Sequence, residues 1–187
     1  VNGMVYLGDK PLLVGKTVIL RPFKDEDFPF IEECLKDPEV LKLTGSDSDF
    51  NQEATLHWYN TRNRQTDRLD LAIVDPSQDF LVGEVVINAY DEKNHSMNFR
   101  ILIGPKGRNQ GLGTEATRLT IDYVFENTTL NQLTLSVFDF NPRARHVYEK
   151  VGFVPSSIDK NDLEFQGEWI DSINMKLTRE NWLNRTK

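Results

Sequence analysis

Two stretches decide how this chain folds: Arg108-Asn109-Gln110-Gly111-Leu112-Gly113-Thr114, and downstream Asn141-Pro142-Arg143-Ala144-Arg145-His146-Val147-Tyr148-Glu149-Lys150-Val151-Gly152-Phe153. The first sits between an apolar strand and a periodic helix. Its glycines let the backbone turn sharply and leave N–H groups facing outward. The first four N–H groups of the following helix have no internal partner, and the helix dipole adds partial positive charge. Together they form a pocket for a phosphate or diphosphate, with Arg108 as a fixed cation beside it. Taken alone, the same glycines need do no more than permit a tight strand-to-helix connection. Other nucleotide motifs fit poorly. No G-K-[ST] ending is present, and the spacing is not G-x-G-x-x-G with an acid after the next strand.

The second stretch follows a strand beginning at Leu133, whose Leu133, Leu135 and Val137 face one way and Thr134, Ser136 and Phe138 the other. Asn141 is a helix cap and Pro142 occupies the first helical position. Ala144, Val147, Tyr148 and Val151 then share one face, and Gly152 stands where a left-handed C-terminal cap is expected. Ahead of the glycine loop, Leu69–Val74, Phe80–Ala89 and Met97–Ile103 read as strands, divided by the turn Asp75-Pro76-Ser77-Gln78 and the polar run Asp91-Glu92-Lys93-Asn94. After it, Ala116, Leu119, Tyr123 and Val124 mark one face of a helix.

Nearer the N-terminus, Thr17–Arg21 reads as a strand stopped by Pro22. Asp25 is expected to cap a helix carrying Phe28, Ile31 and Leu35 on one face, with Pro29 in its first turns and Asp37-Pro38 ending it. Ser46-Asp47-Ser48-Asp49 is a polar loop, and Asp49 with Gln52 fits a capping box for a helix running through His57-Trp58-Tyr59 to about Arg64. A long polar loop after Phe153 leads to a last strand, Trp169–Leu177. The expected order is β-α-α-β-β-β-α-β-α-β-β, one α/β domain over residues 12–187, with no repeat or low-complexity tract. Residues 1–11 form an N-terminal extension, and Val1-Asn2-Gly3 ahead of Met4 reads as a remnant of expression.

Composition narrows the function classes. The chain has 187 residues with 22 basic and 29 acidic side chains, a formal net charge of −7 that argues against general nucleic-acid binding. The single cysteine, Cys34, cannot form an internal bridge, which points to a reducing compartment. No apolar run approaches the roughly 20 residues needed to span a bilayer. The expectation is a cytoplasmic domain without nucleic-acid or membrane partners. Its three histidines, His57, His95 and His146, have no metal-ligand spacing with Cys34 or each other, so no metal is expected.

On these residues the sequence resembles the GCN5-related N-acetyltransferases, in particular the branch that includes the ribosomal-protein N-terminal acetyltransferases. The family's acetyl-CoA signature, [RQ]-x-x-G-x-[GA], is met by Arg108, Gly111 and Gly113. Its second signature is met by Asn141, Ala144, Tyr148, Gly152 and Phe153. The Leu20-Arg21-Pro22 opening and the order of elements extend the likeness along nearly the whole chain. The resemblance implies a mixed, mostly antiparallel central sheet, splayed at two parallel strands and flanked by about four helices. It implies acetyl transfer from acetyl-CoA to a primary amine, on a protein N-terminus or a small molecule, by direct attack in a ternary complex. Pantetheine would pair with the backbone at Leu102 and Ile103. The diphosphate would sit on Arg108, Asn109, Gln110, Gly111, Leu112, Gly113 and Thr114, with Asn141 on the pantetheine arm and Tyr148 at the thioester sulfur. Arg143 and Arg145 are candidates for the 3′-phosphate or adenine, and Arg145 is carried as the cofactor contact. Relatives are often monomers or homodimers, and the sequence does not choose between them.

Each assignment has a plainer counterpart: Asn141 as a cap alone, Tyr148 as core. The acceptor also sets a demand. At pH 7 an α-amine near pKa 7.7 costs about 1 kcal/mol to deprotonate, and a lysine-like amine near 10.4 about 4.6 kcal/mol. Many relatives place a Glu on the strand before the loop, where this chain has Asn98 and no carboxylate. Glu84, on the neighbouring strand, is the candidate base: burial there would raise its pKa, whereas an outward position would leave it solvated. An ordered water is the other candidate. Glu168, Trp169 and Asp171 are candidates for amine recognition. Two further readings stay open: an acetyl-CoA-binding module without turnover, favoured by Asn98, and a nucleotide phosphotransferase, disfavoured by the lack of an accompanying lysine or magnesium-ligand pattern.

Overall fold

The computed structural model describes residues 5–46, 51–108 and 110–185; Asp49, Asn109 and the first four residues lie outside these. In chain order the elements are β1 (Leu13–Val14), β2 (Ile19–Arg21), a 3-10 turn (Asp25–Asp27), α1 (Phe28–Lys36), α2 (Pro38–Thr44) and α3 (Gln52–Arg62). Then come β3 (Leu69–Asp75), β4 (Phe80–Asp91), β5 (Ser96–Ile103), α4 (Leu112–Asn127), β6 (Gln132–Phe138), α5 (Pro142–Val151), β7 (Val154–Phe165), β8 (Glu168–Thr178) and α6 (Arg179–Leu183). The strands form one sheet in the order β1-β2-β3-β4-β5-β6-β8-β7. Neighbours are antiparallel except β5 and β6, which are parallel.

Both faces of the middle of the sheet are covered. Leu69, Leu71 and Ile73 of β3 pack with Ile121, Val124 and Phe125 of α4, while Ala72 and Val74 pack with Phe23, Ile31 and Tyr59 on the other face. That two-sided burial is why β3 and β4 read as apolar runs rather than as alternation. At about 25 cal/mol per Å² of apolar surface, each fully buried Leu or Ile here contributes roughly 1.5–3 kcal/mol.

Several local expectations are corrected. Asp25 opens a 3-10 turn and makes no side-chain cap; the bond back to the chain comes from Asp27, whose carboxylate accepts from the Lys24 N–H at 2.9 Å. Asp37-Pro38 ends α1 but also starts α2, the Asp37 side chain accepting from Val40 N–H with Pro38 in the first turn. Within the described residues, α3 is capped by Asn51, whose side chain accepts from Ala54 N–H at 2.9 Å. The polar stretch expected as a loop is the twelve-residue strand β7. With α2 and α6 added, six helices stand among the described residues where about four were expected.

Candidate active site

The parallel strands are joined by only three residue pairs, Ser96↔Gln132, Met97↔Leu133 and Asn98↔Thr134. Beyond them β5 continues to Ile103 and β6 to Phe138, and the strands part. The edge of β5 facing the gap therefore has no strand partner from Phe99 onward, while its other edge stays in register with β4 from Ile87↔Phe99 to Gly83↔Ile103. A cleft of about 640 Å³ occupies the gap, lined by β5, β6, α2 and the N-terminal ends of α4 and α5.

The start of α4 forms one wall. Gly111, at φ +72°, makes the left-handed turn into the helix, and no side chain caps it. Glu115, in the first turn, is turned away: its carboxylate accepts from the N–H groups of Thr17 at 2.7 Å and Val18 at 3.0 Å. A Cβ at Gly111 would meet nothing within 4 Å, and one at Gly113 only Ile101 Cδ1 at 4.0 Å. Leu112, Gly113 and Thr114 line the cleft, so their end of the helix has open space before it. An open helix N-terminus with uncapped amides fits a diphosphate.

Opposite stands α5. Asn141 Oδ1 accepts from Ala144 N–H at 3.2 Å, the expected cap, and that bond uses the carbonyl end of the amide while the residue also lines the cleft. Tyr148 is buried against Phe99 and Phe153, with ring centroids 6.3 and 6.1 Å away. Among the described residues its hydroxyl makes no hydrogen bond, and burial pushes its pKa up to about 12, so it stays an O–H donor at neutral pH.

Thus Leu102, Ile103, Arg108, Gly111, Leu112, Gly113, Thr114, Asn141 and Tyr148 meet in one cleft. Gln110 does not line it and instead donates to Lys106 O at 3.0 Å. Arg145 does not line it either: its Nε donates to Glu149 Oε1 at 2.8 Å, and Arg143 lines the cleft instead. Asn109 falls outside the described residues.

Glu84 is buried on the face of β4 turned away from α4, in register with Leu102 of the cleft lining, but is not itself part of that lining. Tyr59 donates to its Oε2 at 2.7 Å, and Arg100, which does line the cleft, comes within 3.6 Å of Oε1. Burial raises the Glu84 pKa, while Arg100 and the Tyr59 hydrogen bond pull it partly back. Arg100 therefore stands between this carboxyl and the cleft. His57 and His146 are exposed, and His95 bridges Tyr90 and Thr129 at 2.6 and 2.8 Å. Glu168 and Trp169 are exposed outside the cleft, and Asp171 pairs with Lys160 at 3.1 Å. No group of three or more metal-ligating side chains stands together among the described residues.

Sequence reasoning missed the α2 wall, formed by Glu39, Val40, Leu43 and Thr44, and with it the acids that meet Arg108. The signal was present. Asp37-Pro38 repeats the cap-then-proline pattern that located α5 at Asn141-Pro142.

Residues 17–154 match the model of the acetyltransferase (GNAT) domain. The chain is 26% identical over 173 residues to the spermidine N(1)-acetyltransferase of Escherichia coli K12, covering 91% of each. It is 26% identical over 158 residues to the mouse alpha/beta-tubulin-N-acetyltransferase 9, covering 79% of this chain and 66% of that protein. The crystal structure of the Vibrio cholerae spermidine N-acetyltransferase in complex with CoA and spermine superposes with a TM-score of 0.82 at 22% identity, over 91% of this chain and 100% of that one. These relatives do not point specifically to the ribosomal-protein branch. What the family match and the shared fold establish is the superfamily: the chain belongs to the GNAT acetyltransferases and is an acetyl-CoA-dependent N-acetyltransferase.

Proposed function

We propose that the chain moves the acetyl group of acetyl-CoA onto a small primary amine by direct attack, both substrates being held in the cleft at once. One observation carries this reading: a single cleft joins an uncapped helix N-terminus, a strand edge without a partner and a protonated phenol. Acetyl-CoA supplies an activated thioester. The amides at Gly111 to Thr114 hold its diphosphate, the edge of β5 at Leu102 and Ile103 pairs with its pantetheine amides, and the amide nitrogen of Asn141 adds a donor.

Tyr148 holds its proton at the sulfur. With the phenol near pKa 12 and a thiol near 8.5, full transfer is uphill by about 4.8 kcal/mol. The hydroxyl therefore stabilises the departing thiolate as a hydrogen-bond donor more than by giving the proton away. The proton of the amine leaves to water or, by way of water, to Glu84. Relatives named for spermidine support a small-amine acceptor, and the net charge of −7 favours approach of a cation.

Thiol release from acetyl-CoA, measured against a panel of polyamines, other small amines and peptides with free N-termini, tests this. We expect amine-dependent release, and a loss of about 10²–10³-fold in kcat for Tyr148→Phe. Equal rates for the variant would remove Tyr148 from the mechanism. Strongest turnover on peptides would return the acceptor to protein N-termini, and no release with any amine would sink the reading.

A further inference from the structure

Arg108 is the cation of the diphosphate signature, yet its guanidinium is already committed. One terminal nitrogen donates to Asp37 Oδ2 at 2.5 Å, and the other lies 2.7 Å from Glu39 Oε2. The three side chains together carry a net negative charge, so they offer a diphosphate no surplus cation. The Asp37 oxygen that receives Arg108 also accepts from Val40 N–H at 3.0 Å, as the cap of α2. The same atom thus ties the glycine loop to the first turn of α2.

The far end of α2 is fixed as well. Gly45 closes the helix at φ +66°, and a Cβ there would stand 2.9 Å from the Phe138 ring of β6. The helix therefore reaches from the loop after β5 to the end of β6, across the mouth of the splay, and Val40, Leu43 and Thr44 line the cleft beneath it. On β5 and β6 the residues that line this side include Arg100 and Ser136, set on the strand faces opposite those that pack with α4.

We propose that Arg108 is a positioning residue for the acceptor: it holds α2 in place as the wall against which the amine binds, and the loop amides alone carry the diphosphate. This rests on the amine entering beside α2, as in the function proposed above. The loop that receives the cofactor and the wall that receives the amine then move as one unit.

Arg108→Gln, Glu39→Gln and the double variant test it in the full chain. CoA affinity is read by calorimetry, and kcat and KM with the best amine of the panel. Hydrogen exchange of the α2 amides is followed in the free protein. Arg108→Gln is expected to raise the amine KM about 10-fold with kcat within about 2-fold, the scale of one charged hydrogen bond. CoA affinity should change less than about 3-fold, and exchange in α2 should speed up. Glu39→Gln should act in the same direction, and the double variant should be no worse than Arg108→Gln, because both break one tie.

A CoA affinity weakened about 10-fold or more by Arg108→Gln, with the amine KM unchanged, would overturn the proposal, as would tighter CoA binding in Glu39→Gln. Should the wild type turn over no amine, the function proposed above fails. The exchange and CoA arms still decide whether Arg108 ties α2 or binds phosphate.

Discussion

Gly113 separates a glycine kept for folding from one kept for a ligand. It is the second residue of α4, and its φ lies outside the left-handed region. Alanine therefore fits its backbone, and the nearest atom to the added Cβ is 4.0 Å away. Replacing a helical glycine by alanine is worth up to about 1 kcal/mol, or about 2–4 °C in Tm for a chain of this length. Binding should move the other way. The new methyl projects into the space before the α4 amides, where the diphosphate oxygens approach in the function proposed above. Displacing them from two charge-assisted hydrogen bonds, at about 1.5–3 kcal/mol each, weakens CoA by about 10²–10⁴-fold, with Gly113→Val at the upper end. Calorimetric titration with CoA and thermal unfolding of the free protein read the two effects separately. The expected result is Gly113→Ala at least as stable as the wild type and much poorer at binding. Gly113→Val binding CoA within about 2-fold of wild type would place the diphosphate elsewhere, and a Tm lowered by several degrees in Gly113→Ala would make the glycine structural.

Burial holds the Glu84 carboxyl above its ordinary pKa, so the folded protein keeps this proton more tightly than the unfolded chain. Below the unfolded pKa the burial costs nothing; stability then falls as pH rises toward the folded pKa, and the full cost applies above it. Glu84→Gln, which still accepts from Tyr59, is expected to flatten the decline in Tm as pH rises above the ordinary carboxyl range; a profile parallel to that of the wild type would refute the burial argument. Asn141→Ala should lower stability by about 1 kcal/mol through loss of the cap. If the amide also serves pantetheine, CoA affinity falls several-fold too, whereas unchanged affinity would leave Asn141 a cap alone.

The sequence disclosed most where local chemistry sets geometry. The glycine loop, the Asn141-Pro142 start and the Gly152 stop of α5 follow from backbone rules that hold whatever surrounds them. It disclosed least where one signal has two meanings. Asp37-Pro38 ends one helix and begins the next, since a proline that cannot continue α1 is well placed in the first turn of α2. Strand β7 carries no alternation because both its faces are exposed, so it looked like a loop. Glu84 was visible as an acid in an apolar strand, but only the fold brings Tyr59, from α3, and Arg100, from β5, to its two oxygens. For Arg108, no local pattern announces an acid 71 residues away in the chain.

At the outer edge of the sheet, β7 leaves one side of a twelve-residue backbone open to other chains. Such an edge is a template for intermolecular stacking. Its protection is written along it: Pro155 removes a donor, Asp159, Lys160, Asp162 and Glu164 charge the rim, and two breaks in register bend the strand. Stripping those carboxylates would leave Val154 and Ile158, both already exposed, as the start of a sticky ribbon. The same charges that make this strand read as a polar loop in the sequence work against such edge-to-edge growth of the folded molecule.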